Sequence, residues 1–400
     1  MKITKIETTR VRAHANLLWV EIHTDEGLVG LGETFRGAEA VEAYIHSIIA
    51  PMLLGQEALN VERHNRTLLR GYLGFNGSGV ETRACSAIDI ALWDLLGKAL
   101  KKPLWQLLGG LCHDKMRAYN TCAGVNFNSQ GEQRRTLSQG EQRPVGRYDD
   151  QVAFLECPDE LAQSLIDEGF SAMKIWPVDS FAAASNGQYI SSSDIKKAIA
   201  PFKKIREAVG DKIDVMCEFH SLWNTTAALA ISRELRQYDI FWAEDPIKMD
   251  SPQGLADYRR LSGIPVCGSE TLATMSNFRD CLAADALDYV MLDLSWCGGI
   301  TEAKKIAALA EAYQKPIAPH DCTGPVVLMA SLHLGLSCNN AIFQEVVRAY
   351  LADFYGNLVD TLPVVENGYL LPPTGHGLGT SLSDKLRSRA DATTRTSVHA

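Results

Sequence analysis

The chain has 400 residues, 46% of them hydrophobic, enough to bury a large core in two domains or in one barrel with an attached lid. A formal charge of −9 argues against a nucleic acid or an anionic membrane as partner, and no segment approaches the roughly 20 uninterrupted apolar residues of a membrane helix. The opening MKITKIETTRVRAH lacks an apolar signal core, and ten cysteines are scattered without C-x-x-C spacing, so a cytoplasmic protein with reduced core thiols is expected.

Residues 17–35, LLWVEIHTDEGLVGLGETF, alternate apolar and polar positions around Asp25-Glu26-Gly27, the pattern of a β-hairpin. Residues 81–100 repeat apolar side chains at helical spacing and break at Lys102-Pro103. Residues 1–112 therefore read as an α+β unit. A polar tract at 128–147, rich in Gly, Gln and Arg, has no periodicity and reads as a surface excursion or mobile loop. Around and beyond it the rhythm changes. Eight short apolar runs, AYNTCAG, SAMKIW, IDVMCE, DIFWAE, PVCGSE, DYVMLD, KPIAPH and AIFQE, alternate with amphipathic stretches such as 193–209, 225–237, 276–284 and 299–313. Repeated β-α units imply parallel strands with right-handed crossovers, and eight of them predict a closed (β/α)8-type barrel. An open doubly wound sheet would carry a Gly-rich phosphate turn, and Gly30-Leu-Gly32 lacks the third glycine.

Most of the runs end in a polar or charged residue. Lys174, Glu218, Glu244, Glu270, Asp293, His320 and Glu345 lie at or near the ends, and from Glu218 onward the separations are 26, 26, 23, 27 and 25 residues. One β-α unit has about that length, so these side chains fall at the C-terminal ends of successive strands, where barrel active sites sit. Three glutamates in register would repel and raise one another's pKa unless a cation joined them. An all-carboxylate shell favours Mg²⁺, with Mn²⁺ as the alternative, over Zn²⁺, and the expected substrate is an oxygen-rich anion. Asp293 and His320, on adjacent strands, form a candidate base: a carboxylate on one imidazole nitrogen leaves the other to take a proton. His220 shares a strand face with Glu218, and Lys174 lies on the preceding strand. Either could donate a proton to a leaving hydroxyl; the structural alternatives are a supporting hydrogen bond for His220 and a salt bridge for Lys174. Trp176, Trp223 and Trp296 flank strand ends, as apolar walls or as core.

These residues resemble the enolase superfamily in its mandelate racemase-like branch. The resemblance runs through VEIHTDEGLVGLGE, ACSAIDIALWDLLGKALKKPLWQLLGG, CEFH, WAEDP, GSE and LDLSWCGGITEAKKIAALAEAYQKPIAPH. It implies an N-terminal α+β capping domain (1–112), a modified TIM barrel, (β/α)7β (113–350), and a C-terminal segment (351–400) that completes the capping domain and ends in a mobile tail. It also implies Mg²⁺ at Glu218, Glu244 and Glu270 and abstraction of the proton next to a carboxylate. The pattern is similar to acid-sugar dehydratases of the galactonate type. There His320 would be the base, Asp293 its orienting partner, His220 the acid that expels the 3-hydroxyl, and Glu345 a hydrogen-bond partner of the substrate carboxylate or enediolate. The product would be a 2-keto-3-deoxy acid. Two features depart from that pattern: Glu218 stands where aspartate is usual, and Lys174-Ile-Trp176-Pro177 replaces Lys-x-Lys. A cycloisomerase or epimerase sharing the enediolate step, and a sugar-acid binding barrel without turnover, are the alternatives. The resemblance further implies a homo-oligomer, and loops at 13–17 and 72–79 that close over the substrate.

Overall fold

The computed structural model describes residues 1–69, 77–125, 127 and 147–399; the polar tract at 128–146 and most of the expected loop at 72–79 lie outside them. Three strands open the chain: β1 (Ile3–Val11), β2 (Leu17–Thr24) and β3 (Val29–Phe35). The last two form the expected hairpin, with Gly27 at φ +78° in its turn, a left-handed conformation open to glycine at little cost. One face of this sheet, including Ile6, Leu18, Val20 and Ile22, packs on the helix Val80–Leu100 through Ile88, Ala91 and Leu95. Contact is close because β3 carries glycines on that face. A Cβ at Gly32 would lie 1.9 Å from the Ala87 carbonyl oxygen, so strand and helix meet backbone to backbone.

The eight predicted runs form the barrel: β4 (Met116–Thr121), β5 (Ala172–Ile175), β6 (Asp214–Glu218), β7 (Ile240–Glu244), β8 (Val266–Gly268), β9 (Tyr289–Leu292), β10 (Ile317–Pro319) and β11 (Gln344–Val346). They are parallel and adjacent in chain order from β4 to β10. β11 pairs with β4, and a parallel bridge between Ile317 and Ala341 closes the ring. Helical segments fill every connection from β4 to β11, the last being Pro325–Ser337, which gives the (β/α)7β order. Tyr119, Ala172, Met216, Trp242, Cys267, Met291, Ala318 and Phe343 form a buried layer across the barrel, one residue from each strand or its approach. Edge-on aromatic contacts of Tyr119 with Trp242 and Phe343 make that layer a solid floor.

The C-terminal segment divides between the two units. A hairpin, β12 (Val365–Glu366) and β13 (Tyr369–Leu370), pairs antiparallel with the start of β4 at the barrel's lower end. The tail expected to be mobile is instead strand β14 (Ala392–Val398), paired with β1 from Lys5↔Val398 to Val11↔Ala392. Its side chains, ATTRTSV, are mostly polar and exposed, so the ladder rather than an apolar face holds it, and no hydrophobic alternation marks it in the sequence. Among the described residues no helix is long and apolar enough to cross a membrane.

Candidate active site

Side chains on a strand return to the same face every second residue, so the layer above the floor is set two residues later. From Tyr119, Ala172, Met216, Trp242, Met291, Ala318 and Phe343 this step reaches Thr121, Lys174, Glu218, Glu244, Asp293, His320 and Glu345. The barrel's own periodicity thus gathers the candidate residues at one end. β8 breaks the count. It stops at Gly268, Ser269 takes the inward place and donates its hydroxyl to Asp245 Oδ2 at 2.7 Å, and Glu270 follows on the outgoing turn.

The acidic side of the site is crowded. Glu218 Oε1 accepts the backbone N–H groups of Phe219 at 3.0 Å and His220 at 2.6 Å, while Glu244 Oε2 accepts the Trp242 indole N–H at 3.0 Å. The Lys174 ammonium pairs with Glu244 Oε1, with Glu345 Oε1 at 2.9 Å and with Glu218 Oε2 at 3.5 Å. Burial works against that ammonium, but Glu244, Glu345 and Glu218 hold its pKa well above the ordinary lysine value. Of its two expected roles Lys174 therefore takes the salt bridge here. Burial, followed by the charge of Glu218, pushes the Glu244 carboxyl well above the carboxylate range. Glu270 goes the other way, held low against burial by His320. Glu218, Glu244 and Glu345 thus gather around one ammonium, with Glu270 beside them on His320, a hard-oxygen donor set that fits a divalent cation.

Two imidazoles face this cluster. His320 Nδ1 lies 2.7 Å from Asp293 Oδ2, whose other oxygen accepts the N–H and hydroxyl of Ser295; Nε2 lies 2.7 Å from Glu270. Burial would lower the pKa of His320, yet Glu270 and Glu345 raise it well above the ordinary histidine value. Across the barrel, His220 sits where the chain turns sharply out of β6, with φ +48° followed by +57° at Ser221. Its Nδ1 lies 2.6 Å from Asp179 Oδ2, and its ring meets Trp176 edge-on at 5.6 Å. Burial opposes the charged ring, but Asp179 and Glu218 raise its pKa to about 9.

The capping sheet reaches the same place through three consecutive residues of β3. Glu33 Oε1 accepts the N–H groups of Val326 and Val327, at the N-terminus of the helix Pro325–Ser337; Thr34 donates to the Ser295 carbonyl at 3.0 Å; and the Phe35 carbonyl accepts the Trp296 indole at 2.9 Å. Phe35, Thr121, Phe127, Trp176, Trp296 and Cys322 complete the cavity wall around the charged groups. Trp176 and Trp296 are thus walls as well as packing, whereas Trp223 is buried and absent from that wall. Of the expected capping loops, Arg12–His14 is a short 3-10 turn whose His14 ring stacks on Phe354 at 4.7 Å, and 77–79 lie outside the cavity wall among the described residues. Asp179, Glu33 and Phe35 are the functional positions that strand-end counting did not find. Asp179 has no register to betray it, and Glu33 and Phe35 belong to a different sheet.

The family model described as "Enolase C-terminal domain-like" matches residues 158–386, and that described as "Mandelate racemase / muconate lactonizing enzyme, N-terminal domain" matches residues 4–109. This chain belongs to the enolase superfamily. Among enolase-superfamily structures, it is similar to an enolase of the mandelate racemase subgroup from Agrobacterium tumefaciens, at 48% identity and TM-score 0.88, covering 100% of this chain and 99% of that one. An enolase protein from Sargasso Sea environmental sequencing is 46% identical with TM-score 0.89, over 100% and 99% of the two chains. Among curated relatives, a D-galactonate dehydratase from Pectobacterium atrosepticum is 31% identical over 395 residues, 96% of this chain and 93% of that protein.

Proposed function

We propose that this enolase-superfamily member is a hydro-lyase that dehydrates a sugar acid of the galactonate class to a 2-keto-3-deoxy acid. The observation that carries the reading is the pair of imidazoles, each with Nδ1 on a carboxylate and each lining the cavity shared with Glu218, Glu270 and Glu345. Similarity to the galactonate dehydratases supports the choice of reaction and substrate class. Glu218, Glu244 and Glu270 would hold Mg²⁺, which supplies compensation both for their own charge and for the negative charge that builds on the substrate carboxylate.

His320 Nε2 takes the proton from C2, with Asp293 holding the ring and stabilising the imidazolium. His220 Nε2 gives its proton to the 3-hydroxyl as the C3–O bond breaks, so that group leaves as water, and the enol product becomes the 2-keto-3-deoxy acid. Lys174 and Glu345 fix the substrate end: the ammonium neutralises carboxylates that would otherwise repel an anionic substrate. Phe35 and the two tryptophans exclude water from the reacting carbon. A second reading, epimerisation, draws on the same two imidazoles, since a base on each face could remove and return the C2 proton.

The test is a panel of C5 and C6 sugar acids with Mg²⁺ in D₂O, read for 2-keto-3-deoxy product with semicarbazide and for deuterium at C2 by NMR. Ketone from a galactonate-like acid supports dehydration. Deuterium with inverted C2 and no ketone replaces it with epimerisation, and neither signal across the panel refutes both.

A further inference from the structure

We propose that Asp179 is the positioning residue for the acid half of the reaction: its carboxylate accepts the Nδ1–H of the His220 imidazolium, orients the ring and leaves Nε2–H to meet the leaving hydroxyl. This rests on the dehydratase reading above.

The two histidine–carboxylate pairs are built alike. In each, Nδ1 meets an aspartate oxygen, at 2.6 Å for His220–Asp179 and 2.7 Å for His320–Asp293. In each, a tryptophan ring lies beside the imidazole, Trp176 at 5.6 Å and Trp296 at 5.7 Å. The histidines follow β6 and β10, four strands apart in a ring of eight and hence on opposite sides of the barrel. The parts come from different sources, however. Asp293 follows the strand next to that of His320, whereas Asp179 begins a short 3-10 turn, Asp179–Phe181, four residues beyond the end of β5.

An ionised carboxylate only accepts, so the hydrogen of the 2.6 Å contact sits on Nδ1. A neutral imidazole with its hydrogen on Nδ1 has a lone pair on Nε2, so the form that can act as the acid is the imidazolium, whose second proton lies on Nε2, the nitrogen left to the cavity. Asp179 is 6% exposed, and its other oxygen, Oδ1, is buried without a hydrogen-bond partner among the described residues. The carboxylate therefore does not cap its own turn; its one hydrogen bond goes to His220. Burying such a group costs free energy that a neutral side chain would avoid, and the bond to His220 is the use the structure shows for it.

Asp179→Asn and Asp179→Ala in the Mg²⁺-loaded protein, with galactonate in D₂O, separate positioning from structural support. Wash-in of deuterium at C2 is the work of His320 and persists, while elimination falls by about 10²–10⁴-fold, the range of a lost general acid. KM and Mg²⁺ affinity by calorimetry stay close to wild type. Equal loss of exchange and elimination, or loss of Mg²⁺ binding, would make Asp179 a structural residue and overturn the proposal. A readout independent of turnover is the ¹H–¹⁵N signal of the His220 ring, assigned by its absence in His220→Gln. A strongly hydrogen-bonded Nδ1–H is expected in wild type and is lost in Asp179→Ala; an unchanged signal in Asp179→Ala also overturns the proposal. If wild type neither exchanges nor eliminates, the dehydratase reading fails, and the ring signal alone decides whether Asp179 sets His220.

Discussion

Glu33 gives a sharp test of how the capping sheet is fastened to the barrel. Its two oxygens serve three donors from two parts of the chain: Oε1 takes the N–H groups of Val326 at 3.1 Å and Val327 at 2.9 Å, and Oε2 takes the Trp19 indole at 2.6 Å. Burial pushes the Glu33 carboxyl up to about 8, so the comparison is made above that pH, where it is ionised; in Glu33→Gln one accepting oxygen remains. Keeping it on the two amides turns the new NH₂ toward the Trp19 N–H, so two donors face each other in a site with no solvent access. An unsatisfied buried donor costs about 1–3 kcal/mol, which sets the expected loss at about 2 kcal/mol. Trp19→Phe removes the opposed donor, so in that background Glu33→Gln should cost under about 1 kcal/mol, a coupling within the range seen for contacting residues. The assay is urea unfolding of all four proteins, with tryptophan fluorescence and circular dichroism required to coincide before midpoints are converted to free energies. A penalty for Glu33→Gln of under about 0.5 kcal/mol, or one equal in both backgrounds, would refute the reasoning, since typical surface changes stay within that range.

Other outcomes follow from the site. His320→Asn should abolish C2 exchange while Mg²⁺ binding and the far-UV spectrum are unchanged; surviving exchange would assign the base elsewhere. Mg²⁺ at a hundred times its Kd should stabilise the protein by about 2.7 kcal/mol, read as a shift in unfolding midpoint, and Glu244→Gln should erase most of that shift. In EDTA, His220 binds its proton up to about pH 9 when folded, against about 6.5 when unfolded. The folded state then holds the extra proton between those values, so its stabilising effect is full below about pH 6.5 and lost as pH rises through about 9. Unfolding midpoints across that window should fall for wild type and flatten in His220→Gln; parallel curves would count against the Asp179 and Glu218 field.

Strand-end residues were legible because the repeat length of a β-α unit and the two-residue period of a strand act together. Glu218, Glu244, Asp293, His320 and Glu345 needed only counting, and even the shorter step of 23 residues from Glu270 to Asp293 has a local cause in the early end of β8. Lys174 was found by the same count but its partner was not decided, because whether an ammonium faces substrate or carboxylates depends on distances across the barrel. Asp179 lies on a turn with no period to follow. The clasp from Glu33 to Val327 spans 294 residues and joins two units whose docking no local pattern encodes. β14 was missed for a different reason: an edge strand held by backbone pairing can be polar on both faces.

The pairing of β1 with β14 has a consequence for the order of assembly. Residues 3–11 leave the ribosome first among the strands, yet their outer neighbour at 392–398 is synthesised only after the entire barrel. Since domains fold largely as units while the chain emerges, the barrel can close around its buried charges before the sheet above it is complete. The capping sheet would wait with one edge open through most of translation. A ribosome-stalled chain that ends before residue 392 should therefore show protease-resistant barrel fragments and a protease-sensitive N-terminal sheet, with protection of the latter arriving only once β14 is out of the exit tunnel.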